Sequence, residues 1–250
     1  MAVDPIHQFQ IIDLFPVIKI GHTEIAFTNS AAYMVVAVVA ITLFLIGGTA
    51  RRSLVPGRLQ SVAELSYEFV ANTIRSTAGT EGMRFFPFVF TLFMFILVVN
   101  LIGLIPYTFT VTTHIVITAT LALSVFVTVL VYGFWKNGLH FFNLFVPKGI
   151  PIYILPLIVF IEVLSFISRP ISHSVRLFAN MLAGHITLKV FASFITLLGG
   201  FGIFGMAGAT LPLALVVALT ALELLVAFLQ AYVFAILTCI YLNDAIHPGH

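Results

Sequence analysis

Ile161-Glu162-Val163-Leu164-Ser165-Phe166-Ile167-Ser168-Arg169-Pro170-Ile171-Ser172-His173-Ser174-Val175-Arg176-Leu177-Phe178-Ala179-Asn180 is apolar enough for a lipid bilayer, yet it holds an acid, two arginines, a histidine and an asparagine. At about 100° per helical residue, Ser165, Arg169, His173, Arg176 and Asn180 fall at roughly 300°, 340°, 20°, 320° and 0° from Glu162, a single narrow polar stripe. His185 and Lys189 follow at about 140° and 180°, on the opposite side. An arginine near the bilayer centre costs roughly 2.5–3.5 kcal/mol on insertion scales, so it is normally kept for a task. Arg169 and Lys189 can snorkel toward headgroups; Arg176 lies between two long apolar runs, where that escape is poorest.

The whole chain is built to hold such a stretch in lipid. Of 250 residues 61% are hydrophobic and 8% charged, against about 25% charged in soluble domains, which sets the class as an all-α polytopic membrane protein. A net charge of +2 carries no message about nucleic acid. One cysteine, Cys239, excludes an internal disulfide or a cysteine-based metal site. No cofactor and no metal site are expected. Residues 1–30 lack a basic region followed by an apolar core, so they read as an outer-side segment, ordered or interfacial, and not as a cleaved signal.

Residues 31–50 form the first span, about 30 Å of helix. Arg51, Arg52 and Arg58 follow at once and place that end in the cytoplasm or its equivalent. Over 57–81, Glu64, Glu68 and Arg75 share one face and Leu59, Val62, Leu65, Phe69, Val70 and Ile74 cover the other, the pattern of a helix lying in the interface. Residues 85–135 contain no Asp, Glu, Lys or Arg and fold as a two-span hairpin turning near Ile105-Pro106-Tyr107-Thr108. Asn100 sits near the outer end of its first arm.

Residues 151–198 are the difficult segment. As one helix they run roughly 70 Å, more than twice the hydrocarbon thickness. The alternatives are one very oblique helix, or two ordinary spans turning at 168–174; the stripe continuing across Pro170 favours the first. Gly199-Gly200-Phe201-Gly202-Ile203-Phe204-Gly205 contains G-x-G-x-x-G, but no strand precedes it and no ribose-binding acid follows, so it reads as a turn. The last long helix, over 206–244, holds Glu223 and Gln230 nearly superposed. His247-Pro248-Gly249-His250 reads as a frayed end and not as a metal site. A single membrane domain of about five crossings results. Seven of eleven Lys and Arg (Arg51, Arg52, Arg58, Arg75, Arg84, Lys136, Lys148) fall inside, Lys19 outside.

Intramembrane Asp, Glu and His are the usual material of proton relays. A fixed arginine cannot relay, because it stays charged, but it can stabilise a carboxylate opposite it. The chain has no spare acid for Arg176 to serve, so that carboxylate is expected on a partner.

At this point Arg176-Leu177-Phe178-Ala179-Asn180-Met181-Leu182-Ala183-Gly184-His185 closely resembles the signature of the a subunit of F-type ATP synthases. The likeness runs from the first span to Asp244, with Asn100-Leu101-Ile102-Gly103-Leu104-Ile105-Pro106 and the Glu223 to Gln230 pair at matching places. Its acid and histidine are exchanged relative to many bacterial members, with His185 and Glu223 in the mitochondrial and alphaproteobacterial-like order. The resemblance implies a proton-translocating stator subunit of the Fo sector with two offset half-channels and no catalytic site of its own. It assigns Arg176 as the essential arginine facing the acidic residue of the rotating c-ring. Glu223, His185, Asn180, Gln230 and Asn100 would lie on the outer proton path. Glu162, Ser165, Ser172, His173 and Arg169 would lie on the inner one. Expected partners are the c-ring, b-type peripheral stalk subunits and membrane lipids, not nucleic acid. The expected location is a bacterial inner membrane, N-terminus periplasmic and C-terminus cytoplasmic, or alternatively the mitochondrial inner membrane. A self-contained ion-coupled secondary transporter is the competing reading; it predicts flux without a ring, and the chain shows no internal repeat of the kind many transporters carry.

Overall fold

The computed structural model describes residues 11–20, 23–50, 56–105, 108–146 and 153–247. Arg51, Arg52, Lys148, the Pro106-Tyr107 part of the hairpin turn and the last three residues of the tail lie outside them. Among the described residues, five helices are long and apolar enough to cross a membrane: α1 (Asn29–Thr49), α3 (Phe86–Gly103, with a 3-10 turn Glu81–Phe85 before it), α4 (Ile115–Asn137), α5 (Leu155–Gly199) and α6 (Gly202–Ile246). The sixth, α2 (Arg58–Ala78), is amphipathic. The all-α, multi-pass architecture expected from composition is the one observed.

Several boundaries differ from the sequence reading, each for a local reason. The N-terminal segment contains an antiparallel pair, β1 (Asp13–Ile20) with β2 (Thr23–Thr28), in register Asp13↔Thr28 to Ile20↔Thr23. It leads straight into α1, whose first turn is capped when the Thr28 hydroxyl accepts from the Ala31 N–H at 3.3 Å. α2 stops at Ala78 because Gly79 takes φ +66°, a left-handed conformation that glycine adopts without strain. It buries Ala63, Val70, Ala71, Thr73, Ile74 and Ala78, while Leu59, Val62 and Leu65 of the apolar face stay exposed and Glu64, Glu68 and Arg75 are exposed as well. The loop after α4 is a 3-10 segment, Gly138–Phe145, packed through aromatic rings: Phe141 lies 4.9 Å from Phe134 and Phe145 5.4 Å from Phe166.

α5 decides the alternatives at 168–174. It is one helix of 45 residues with Pro170 inside it, and no turn interrupts 168–174. Its length, about 67 Å at 1.5 Å per residue, is too great for an upright crossing. Only Gly200 and Phe201 of the glycine-rich stretch form the turn: α5 ends at Gly199, and α6 opens at Gly202 with φ +73° and takes up the rest. α6 starts at Gly202, ahead of the expected residue 206, and takes Pro212 into its interior.

The chain divides into two compact units. One comprises the N-terminal segment up to Ile41, Phe95–His114 and Leu177–Gln230; the other comprises Thr42–Met94, Ile115–Arg176 and the C-terminal segment from Ala231. In the first, Tyr33 and Phe109 rings meet at 6.0 Å. The second holds an aromatic core in which Phe69 contacts Phe93 and Tyr232 at 5.6 and 5.3 Å, and Phe126 contacts Phe166 at 5.1 Å. Its α4 and α5 are joined by the Thr118 and Ser174 hydroxyls at 3.1 Å, and Asn137 donates to the Ala245 carbonyl at 2.7 Å. Cys239 is a buried thiol of this unit.

Candidate proton-path residues

In the second unit, the polar stripe of α5 is divided by burial. Ser165, Ser172 and Arg176, at the edge of the stripe near 300°, are exposed. Toward the packed side Phe166 and His173 are buried, and Glu162 and Arg169 are half-buried. Arg169 donates from Nη1 to Asp244 Oδ2 at 2.7 Å, with both side chains 19% exposed. Its guanidinium also stands over two rings, Tyr241 at 4.9 Å and Phe166 at 5.3 Å. Spacing explains the geometry: Phe166 and Arg169 are one turn apart on α5, as Tyr241 and Asp244 are on α6, so each helix presents a ring and a charge on one face. His173 packs edge-on against Phe234 at 4.2 Å and Tyr241 at 5.7 Å. A cavity of about 10 Å³ lies beside the pair, lined among others by Arg169, His173 and Tyr241, and is the size of a single water.

In the first unit the polar groups lie on several helices and in the turn before α4. Asn100 is fully buried and accepts from the Thr112 hydroxyl at 3.0 Å. Thr110, equally buried, places its hydroxyl 3.3 Å from His185 Nε2, and its carbonyl accepts from the Thr113 hydroxyl at 2.6 Å. Glu223 reaches across to the backbone of Gly184: a Cβ added there would run into its carboxylate. The carboxylate thus occupies the space that a side chain at 184 would take. Gln230 is buried, Asn180 exposed and Lys189 half-buried. Among the described residues, Asn100 Nδ2 and Glu223 Oε2 are buried without a hydrogen-bond partner. His114 Nε2, in the turn before α4, is likewise unpartnered, with its ring stacked on Phe109 at 5.1 Å; burial pushes its imidazole below the ordinary range.

The expected residues thus fall into two sets. Asn100, His185, Glu223, Asn180 and Gln230 belong to the first unit; Glu162, Ser165, Arg169, Ser172, His173 and Arg176 belong to the second. Sequence reasoning missed Asp244, Tyr241, Thr110, Thr112 and Gly184. The threonine run Thr108-Phe109-Thr110-Val111-Thr112-Thr113 was the visible signal for two of them.

The family model for the ATP synthase A chain matches residues 31–243, which is most of the chain. The chain belongs to this family. Similar proteins include the ATP synthase subunit a of Rhodopseudomonas palustris, 71% identical over 248 residues that cover 99% of this chain and all of the relative. That of Nitrobacter winogradskyi is 73% identical over the same shares, and a second from a Rhodopseudomonas palustris strain is 72% identical over the full length of both. The family description agrees with the resemblance carried by the 176–185 stretch, and the five long apolar helices agree with a multi-pass membrane protein.

Proposed function

We propose that this chain is the proton-translocating stator subunit of an ATP synthase Fo sector, with Arg176 facing the carboxylates of a c-ring and two half-channels meeting that ring at different depths. The observation that carries the reading is the exposed Arg176 on α5, in a chain of this family whose intramembrane polar groups fall into two separate sets. The outer half-route uses Asn100, His185 and Glu223, with Asn180 and Gln230 beside the ring interface. The inner half-route runs along the exposed edge of α5, past Glu162, Ser165 and Ser172, with Arg169 and His173 behind it on the packed side.

A proton arriving from outside is passed through Glu223 and His185 to a ring carboxylate, which becomes neutral and rotates into lipid at little desolvation cost. Returning to the interface on the inner side, it loses the proton toward Glu162 and the serines. Arg176, permanently charged, holds the interfacial carboxylate ionised and bars direct passage between the half-routes. Each charge crossing is worth about 2.3 kcal/mol per 100 mV, so a leak at this point would dissipate the drive for synthesis. The b-type stalk would hold the chain against the torque, and α2 would lie in the inner interface. Arg58, Arg75, Arg84 and Lys136 support an orientation with the C-terminus cytoplasmic and the N-terminus periplasmic.

In inverted vesicles of the complete synthase, Arg176→Ala is expected to abolish ATP-driven acidification while the complex still assembles. Coupled pumping retained by that variant would overturn the reading.

A further inference from the structure

Arg169 stands midway between the two groups that matter most to the inner half-route. Glu162, Arg169 and Arg176 are spaced seven residues apart on one uninterrupted helix, so each neighbour is two turns away, about 10.5 Å along the axis. All three lie within roughly 40° on the wheel. Left to itself, a guanidinium at 169 would place a second fixed positive charge beside the route. At that distance and an effective dielectric near 20, one uncompensated unit charge alters the occupancy of a passing proton on the order of tenfold.

The structure cancels that charge. Asp244 lies 2.7 Å from Arg169, whose guanidinium also stands over the Tyr241 and Phe166 rings, and both charged side chains are mostly withdrawn from the surface. Glu162 and Arg176 are the other charged groups of α5 in this unit. We infer that Asp244 is a positioning residue of proton translocation: the counter-ion that confines the charge of Arg169 and keeps the inner half-route permeable to protons. The inference rests on the stator reading above. It differs from a plain structural brace, because a brace requires the bridge itself, whereas a counter-ion is needed only while the opposite charge is present.

That difference sets the experiment, made on the complete synthase in inverted vesicles, with assembly followed by subunit content and proton uptake by a pH-sensitive dye. Asp244→Asn is expected to lower ATP-driven uptake about tenfold, and Asp244→Glu to retain most of it. Combining Asp244→Asn with Arg169→Gln removes both charges and the bridge together, and is expected to restore uptake to within about threefold of the unaltered complex. Assembly of the double variant but not of Asp244→Asn would support the same conclusion, since only the single variant strands a buried charge. A double variant as defective as the single one, in uptake or in assembly, would overturn it, as would an Asp244→Asn complex that pumps normally. Arg176→Ala run alongside separates the two claims: pumping by that variant sinks the stator reading, whatever position 244 does.

Discussion

The ion pair of the second unit and the acid of the first are held in opposite ways, although His173 of the second unit also keeps a buried Nε2 unpartnered among the described residues. In the second, the guanidinium of Arg169 is saturated by a carboxylate and two ring faces. In the first, Asn100 and Glu223 each keep a buried atom unpartnered among the described residues, and His185 meets a hydroxyl whose donor role depends on the tautomer. A buried charge that must stay put is surrounded and neutralised. Groups that hand protons on need unused hydrogen-bonding capacity and more than one stable protonation arrangement.

The sharpest way to break this contrast is at Gly184. An alanine there displaces only the far end of the flexible Glu223 side chain, so thermal stability and assembly should be nearly unchanged while proton translocation falls about tenfold, the scale of a misplaced catalytic group. Equal losses of stability and transport would show that the close approach is mere packing. A smaller effect is expected at Thr110. Replacing it by Val removes the hydroxyl at His185, worth about 1 kcal/mol, and should slow translocation about fivefold, with Thr110→Ser restoring it; equal rates in Val and Ser variants would remove Thr110 from the route. The smallest concerns His114. Its folded-state imidazole is held below the unfolded value by burial, so the stabilisation is complete above about pH 6.5 and is lost as pH falls below that. Thermal unfolding of the solubilised complex should therefore weaken less between about pH 6.5 and 5 in His114→Gln than in the unaltered protein; parallel curves would exclude His114 as a contributor.

Local signals reached far in this chain. Runs of apolar residues located all five spans, and helical spacing placed Arg176 on a stripe with Ser165, which shares its exposure. What stayed hidden was pairing at a distance. Arg169 with Asp244 and Thr110 with His185 are each 75 residues apart; a wheel drawn on one helix cannot show which residue a second helix brings to it. Arg169 therefore read as a path or snorkelling residue, and Asp244 only as the end of a resemblance. The N-terminal strand pair went unread because residues 1–30 were weighed only as a possible signal or interfacial segment, although Thr23, Ile25, Phe27 and Thr28 are of the types that favour strands. The 3-10 segment Gly138–Phe145 carries no local signal, because its stability comes from rings on α4 and α5.

The 45-residue length of α5 and α6 has a consequence for the lipid around them. An upright span matches only one hydrocarbon thickness, and a bilayer a few ångströms thicker strains it. A helix about 67 Å long that crosses a 30 Å layer obliquely rises at roughly 27° from the membrane plane, and a change to 33 Å asks for only about 3° more. The pair can follow the thickness of its host membrane by a slight change of slope, without exposing a polar residue or burying a headgroup.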